Sequence, residues 1–236
     1  MSHDDADSAQ EVPNLVWTIV VAGGSGLRFG ERKQFATLAG RSVLERTVES
    51  SRASSDSTVV VVPDDAVATT QDMFSDLSDV DVVAGGATRA SSVRAGLAAT
   101  DDGAGIILVH DGARPLASPA LFTRVIERVR LGAAAVIPVV PLADSIRHVD
   151  GHVVDRSKLQ AVQTPQGFTA TALRGAHASG AEATDDATLV SNLGFEVATV
   201  EGEPENRKLT VPSDMITAEA IVLSRHDSEE PHVDNP

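Results

Sequence analysis

Val20-Val21-Ala22-Gly23-Gly24-Ser25-Gly26-Leu27-Arg28-Phe29-Gly30, with Lys33 close behind, is an apolar strand running into a glycine-rich turn that ends in positive charge. Four glycines within residues 23–30 let the main chain bend tightly and bring its amides against a ligand, because no Cβ blocks the approach. Consecutive amides form an anion cradle. Arg28 and Lys33 add charge at its rim, which suits a nucleoside triphosphate whose leaving pyrophosphate must be stabilised. The spacing separates this turn from two other phosphate loops: the third glycine of a dinucleotide fingerprint would fall at Phe29, and Gly30 is not followed by the Lys-Ser/Thr of a P-loop. Taken by itself the segment is also compatible with a purely structural turn.

Outward from this turn, β-branched runs alternate with Ala/Leu/Arg-rich segments along the whole chain, which predicts one α/β domain over residues 14–224. Strands are expected at Val16–Ala22, Thr58–Val62, Val80–Ala84, Ile106–His110, Ala133–Val140 and Glu196–Val200. Helices are expected at Ser42–Ser51, Asp64–Phe74, Arg89–Ala99, Ser118–Arg130, Thr169–Ser179, Asp185–Asn192 and Ser213–Leu223. That order implies a mainly parallel, twisted sheet with helices on both faces. Residues 144–168 break the pattern. Asp144 to Arg156 alternates polar and apolar residues around Asp150-Gly151, a hairpin signal, and a projecting hairpin has too little core of its own. It packs either on a second subunit or as a flap on its own domain.

The 236 residues include no cysteine, which excludes disulfides, thiolate zinc sites and a thiol nucleophile. Apolar runs are only strand-length, so neither a membrane span nor a signal peptide is expected, and a cytoplasmic address follows by default. Much of the net charge of −15 sits in the ends: residues 1–13 and 225–236 are polar, acidic and Pro-containing, and are expected to be disordered tails. So acidic a chain lacks the broad positive field of a nucleic-acid binder. Its positive charge is bunched instead, at Arg28, Arg32 and Lys33, at Arg89 and Arg94, at Arg114, at Arg156 and Lys158, and at Arg207 and Lys208.

In open parallel sheets ligands gather at the carboxyl ends of the strands. That rule brings the Gly23–Gly30 loop, the Gly85-Gly86 turn and Asp111 around one crevice. A fixed carboxylate after an apolar strand suits a divalent cation shared with substrate phosphates; it equally suits a turn acid or a partner for Arg114. The seven histidines form no metal or triad spacing, and His110 reads as a strand-end residue with a local hydrogen bond.

The series AGGSGLRFGERKQF, GGATRASSVRAGL, VHDGARP, ADSIRHVD, VDRSKLQAVQTPQGF, ATDDATLV and EGEPENRKLT, in this order across about residues 15–223, resembles the 2-C-methyl-D-erythritol 4-phosphate cytidylyltransferases of the non-mevalonate isoprenoid pathway. The resemblance implies a single Rossmann-like nucleotidyltransferase domain with a β-arm at about 144–168. It implies transfer of CMP from CTP to a polyol phosphate with Mg²⁺ or another divalent cation, in a homodimer joined through the arm. By motif position it places Ala22, Gly23 and Gly24 in the nucleotide loop and Gly86 with Ser92 at the cytosine. Arg28 and Lys33 then fall at the triphosphate, Lys208 near the α-phosphate and Asp111 on the metal. Ser145, Arg156 and Thr184 fall on the methylerythritol phosphate, the first two reaching over from the partner's hairpin.

Several positions depart from the family pattern: Gly23 stands where alanine is common, Arg32 where proline is, Gly112 where alanine is, Ala87 where an acidic or small polar residue is, and Ser145 where threonine is. The Gly-Gly loop is also similar to ribitol 5-phosphate cytidylyltransferases, whereas Val154–Ser157 with Gln163–Gln166 looks like the methylerythritol branch. A sugar-1-phosphate nucleotidyltransferase, or a catalytically silent nucleotide-binding module, are the further alternatives that the residues leave open.

Overall fold

The computed structural model describes residues 15–24 and 32–229. Arg28 and the tail at residues 1–13 lie outside the described residues, as does the last part of the carboxyl-terminal tail. The strands are β1 (Val16–Val21), β2 (Thr37–Leu38), β3 (Arg41–Ser42), β4 (Ser57–Val62), β5 (Val80–Ala84), β6 (Ile106–Asp111), β7 (Ala135–Pro141), β8 (Ile146–Arg147), β9 (Val153–Val154), β10 (Gln160–Val162), β11 (Gln166–Thr169) and β12 (Val197–Glu201). The helices are α1 (Val43–Arg52), α2 (Val67–Met73), α3 (Arg89–Ala99), α4 (Pro119–Arg130), α5 (Ala170–Ala178), α6 (Asp186–Asn192) and α7 (Ser213–Glu229). No helix among the described residues is long and apolar enough to cross a membrane.

One sheet organises the chain. β5, β4, β1 and β6 run parallel side by side, β11 pairs antiparallel with β6 and with β7, and β12 runs parallel to β7. Because successive strand residues face opposite sides, each β-branched run splits into two cores. Ile19, Val59, Val61, Ile107 and Val109 pack with Val93 and Leu97 of α3, Leu173 of α5 and Leu189 of α6. On the opposite face, Val20, Val60 and Val62 meet Leu44 and Val48 of α1, and Ile106 and Leu108 meet Leu121, Phe122 and Val125 of α4. Both faces are therefore covered, as a parallel sheet requires. Gly96 permits the close seating of α3, since a Cβ there would lie 2.5 Å from Cγ2 of Ile19. The helix starts are chemically marked: Ser42 and Glu45 form a capping box on α1, and Ser118 caps α4 ahead of Pro119.

The expected elements are present, with the unexpected β2–β3 pair added and with several shifted boundaries, four of which are notable. The segment expected to be one helix at Asp64–Phe74 begins as a 3-10 turn at Asp64–Ala66, and only Val67–Met73 is α-helical. The strand expected to stop at His110 includes Asp111. Residues 160–168, read as part of the break, supply β10 and most of β11, which are too short and too mixed in polarity on either side of Pro165 to show a strand pattern. Finally, α7 runs on to Glu229, past the expected boundary at 224. The hairpin itself forms as β8 and β9, closed through Gly151 at φ +96°. Its apolar residues Val149 and Val153 are exposed, with relative exposures of 102 % and 73 %.

Phe168 is fully buried where β11 packs under α5. Phe168→Ala is expected to cost about 3–5 kcal/mol, read from the shift of the urea unfolding midpoint. A loss under about 1 kcal/mol would mean that this strand is not part of the cooperative core.

Candidate active site

The carboxyl ends of β1, β5 and β6 open into a cavity of about 570 Å³ lined by Ala22, Gly23, Gly24, Lys33, Gly86, Ser92, Asp111 and Lys208, among others. Eight of the residues expected at the site are thus brought together from five separate stretches of sequence. A second cavity of about 200 Å³ adjoins it, lined by Thr184, Arg114, Gln163, Thr164 and Gln166. Arg89, Asp111 and Lys208 belong to both walls. Ser145 and Arg156 line neither cavity: they lie exposed on the arm, where Arg156 Nη1 donates to the carbonyl of Ala143.

Each wall is held by local chemistry. Gln34, buried after the loop, donates from Nε2 to the carbonyl oxygens of Ala22 at 2.9 Å and Gly24 at 3.4 Å, fixing both ends of the described part of the turn. On the facing wall, Ser92 Oγ accepts from the Gly86 amide at 3.2 Å and donates to the Thr88 carbonyl at 2.9 Å, tying the Gly85-Gly86 turn to the first turn of α3. The floor is a close approach between strand ends: a Cβ on Gly112 would lie 2.8 Å from Cβ of Ala22, so the family's more usual alanine has no room beside this loop. Leu209 is buried against Leu38, Leu116 and Val222, which turns its neighbours Lys208 and Thr210 to the cavity. Its carbonyl accepts from Lys33 Nζ at 2.7 Å.

The electrostatic centre is Asp111. Burial alone would raise this carboxyl, but Lys208 and Arg89, with a smaller contribution from Arg114, outweigh it and hold the group down at about 2. Lys208 Nζ lies 2.8 Å from Oδ2, Arg89 Nε 3.8 Å from Oδ1 and Arg114 Nε 3.7 Å from Oδ2. The expected pairing with Arg114 is therefore one of three. Burial likewise works to lower Arg89, yet Asp186 and Asp111 keep it above its ordinary value.

Behind Asp111, His110 is wholly buried, and burial pushes it down to about 4. Thr164 Oγ1 accepts from the Asp111 amide at 3.0 Å and lies 3.0 Å from His110 Nδ1, while His110 Nε2 lies 3.2 Å from the Arg114 carbonyl. A carbonyl only accepts, so the neutral ring carries its hydrogen on Nε2, and Thr164 donates its hydroxyl hydrogen to Nδ1. With both nitrogens committed, His110 is an orienting group and not a base.

Sequence reasoning did not single out Gln34, Thr164, Asn206 or Asp186 for the site. Asn206 is fully buried; it donates to the Thr164 carbonyl at 2.9 Å, and its own carbonyl accepts from Arg114 at 2.7 Å. Arg89 was visible as clustered positive charge but carried no role, and Arg114 was visible only as a partner for Asp111.

A twisted, mainly parallel sheet whose strand ends gather a glycine loop, one ionised carboxylate and several cations defines an α/β protein of the Rossmann-like nucleotidyltransferase class. The family model described as IspD, 2-C-methyl-D-erythritol 4-phosphate cytidylyltransferase, matches residues 16–224, and the chain belongs to that family. A relative of that name from Rhodococcus jostii is 48 % identical over 217 residues, covering 88 % of this chain and 95 % of its own. One from Nocardia farcinica is 43 % identical, covering 94 % and 98 %. The crystal structure of 2-C-methyl-D-erythritol 4-phosphate cytidylyltransferase from Thermus thermophilus superposes with a TM-score of 0.75 at 35 % identity, covering 89 % of this chain and 99 % of that one.

Two groups at the site contribute most visibly to the acid response. His110 has an ordinary value of 6.5 and a folded value of about 4, so between those pH values the unfolded chain takes up a proton that the folded chain refuses, and stability falls as pH falls. Asp111, ordinarily 3.8 and about 2 when folded, adds a second loss below pH 3.8 for the same reason. At about 1.4 kcal/mol per pH unit the His110 window amounts to roughly 3–4 kcal/mol and the Asp111 window to roughly 2–3 kcal/mol. Urea unfolding between pH 7 and pH 3 without divalent cations is expected to show the upper window in the native chain and not in His110→Gln. Identical slopes in the two proteins would mean that His110 does not stay neutral.

Proposed function

We propose that this chain transfers CMP from CTP to 2-C-methyl-D-erythritol 4-phosphate, giving 4-diphosphocytidyl-2-C-methyl-D-erythritol and pyrophosphate in non-mevalonate isoprenoid precursor synthesis. The observation that carries the reading, in a chain of this family, is the meeting of a larger and a smaller cavity at Asp111, Arg89 and Lys208. The larger suits the nucleotide. The smaller, with Arg114 and Thr184 in its wall, suits a small phosphorylated polyol.

An acceptor phosphate is already an anionic nucleophile, so the barrier lies in bringing two polyanions together and stabilising charge on the α-phosphoryl group. One acceptor oxygen forms a bond to the α-phosphorus, and the bond from that phosphorus to the bridging oxygen breaks. Pyrophosphate leaves with the electron pair. No proton need be removed, in keeping with a buried His110 whose nitrogens are both engaged. Lys208 at the shared wall and Lys33 in the nucleotide cavity supply fixed positive charge to the group in flight, with Arg28 in the same role by motif position.

The proposed cofactor is Mg²⁺ or another divalent cation. Among the described residues no group of three acidic or histidine side chains could hold a metal by itself, and Asp111 offers one ionised carboxylate at the cavity wall. That donor set fits an ion held by one carboxylate together with triphosphate oxygens and water. Bound there, it would supply charge neutralisation on the phosphates. The cytoplasmic address remains part of the proposal, as does a homodimer joined through the arm. The exposed Val149 and Val153, and a lining of both cavities in their own chain that includes neither Ser145 nor Arg156, support the arm reaching a partner's site.

Pyrophosphate release with CTP and Mg²⁺ is expected with 2-C-methyl-D-erythritol 4-phosphate in preference to ribitol 5-phosphate, and chelation is expected to abolish it. The reverse preference would move the chain to the ribitol branch, and silence with both would leave a nucleotide-binding module. Losing one charge contact at the transition state is worth about 3–4 kcal/mol by analogy with an oxyanion donor, so Lys33→Ala and Lys208→Ala are each expected to lower turnover on the order of a hundredfold or more with the fold intact. Arg156→Ala is expected to raise the KM for the polyol phosphate far more than that for CTP; an effect confined to CTP would place Arg156 elsewhere.

A further inference from the structure

Arg89 lies in the wall shared by both cavities, yet neither the motifs nor the reaction scheme gives it a task. A carboxylate behind the wall holds its side chain. Nη1 donates to Asp186 Oδ2 at 2.7 Å, whereas Asp111 Oδ1 lies 3.8 Å from Nε. Asp186 opens α6 but is not its cap: Asp185 takes that role, accepting from the Thr188 amide at 2.8 Å, which leaves Asp186 turned inward and 1 % exposed. The second oxygen of Asp186 lies 3.0 Å from Nε2 of His177, a buried residue of α5. A carboxylate only accepts, so His177 donates from Nε2. Its buried Nδ1 has no hydrogen-bond partner among the described residues.

A buried imidazole with one nitrogen left unpaired is a poor device for stability, where an apolar side chain would serve better. What the arrangement does achieve is a carboxylate held at both oxygens, one of them aimed at the guanidinium. Held in this way, the guanidinium stays 3.8 Å from Asp111, whose direct ion pair is with Lys208 at 2.8 Å.

We propose that Asp186 is a positioning residue: clamped from behind by His177, it fixes Arg89 on the wall between the cavities, with the remaining guanidinium N–H groups facing the phosphates that meet there. The identity of those phosphates rests on the cytidylyltransferase reading; the clamp does not. The test is a double-mutant cycle of Asp186→Asn and Arg89→Ala, read in two ways: as kcat and KM for CMP transfer, and as affinity for inorganic pyrophosphate by calorimetry. Each single change is expected to lower kcat/KM for the acceptor, and affinity for pyrophosphate, on the order of tenfold or more, as for a broken buried charge pair, and the double variant to be no worse than Arg89→Ala. His177→Leu is expected to reproduce part of the loss and His177→Gln, whose amide still donates, to restore it.

Additive effects in the cycle, or wild-type values for Asp186→Asn, would overturn the clamp while leaving the transfer reaction standing. If Asp186→Asn does not fold, equal losses in the two His177 variants overturn it. The non-additive pattern in pyrophosphate binding without any CMP transfer would uphold the clamp and overturn the reaction. Silence in both assays overturns both.

Discussion

The site depends on one ionised carboxylate kept buried at the end of the central strand. Asp111 is 9 % exposed, and a carboxylate so placed would take a proton if it were alone. Lys208, Arg89 and Arg114 prevent that from three directions, and each is itself anchored by something other than Asp111: Arg114 by the Asn206 carbonyl, Arg89 by Asp186, and Lys208 by the burial of Leu209 next to it. Lys208 contacts the carboxylate directly, while their anchors hold Arg89 and Arg114 at 3.8 and 3.7 Å from it, so positive charge stays spread along a wall able to meet a polyanion.

The topology explains why these groups meet. β10 and β11 lie along the same edge of β7, since Val139 pairs with Val162 on one side and Glu201 on the other, and the chain between them bends at Gln163-Thr164-Pro165. That bend carries Thr164 to the end of β6, where it meets the amide of Asp111 and the ring of His110. The segment after β12 closes over the same bend. Gln163 donates to the Glu203 carbonyl at 2.8 Å and accepts from the Glu203 amide at 3.0 Å, so the stretch leading to Lys208 is registered against the strand ends before Leu209 enters the core. Errors in that register would move Lys208 out of both cavities at once.

Much of this was legible in the sequence, for reasons that also mark where legibility stopped. β1, β4 and β6 declare themselves because a strand buried on both faces needs an unbroken apolar run, and the helix starts because Ser42, Thr88, Ser118 and Asp185 are capping residues. The glycine loop, the Gly85-Gly86 turn and Asp111 follow from the rule of strand ends. β10 and β11 stay hidden because three or four residues of mixed polarity on either side of a proline carry no periodicity. Gln34, Asn206 and Asp186 are hidden for another reason: a buried polar residue is read by its partners, and theirs lie on other elements. Asp186 and Arg89, 97 residues apart, are made neighbours only by the packing of α5 and α6 against α3. The ends of α2 and α7 were misjudged because marginal turns at helix termini answer to tertiary contacts more than to composition.

A net charge of −15 and a site for two polyanions are compatible once the scale of screening is considered. Exposed acids more than about 10 Å from the cavity act through solvent and counterions and are largely screened at 0.1 M salt, whereas Arg89 and Arg114 stand in partly buried walls where screening is weak. The local field is thus set by a few anchored cations and by Asp111, and little by the overall charge. Screening acts on the arm in the same way. Arg156 is exposed in the single chain and so contributes a screened charge; seated over the smaller cavity of a partner it would lose that solvent and act at full strength on a bound phosphate. An arginine of little electrostatic consequence in one chain would then become a determinant of acceptor binding in two, and assembly of the proposed dimer would complete the site.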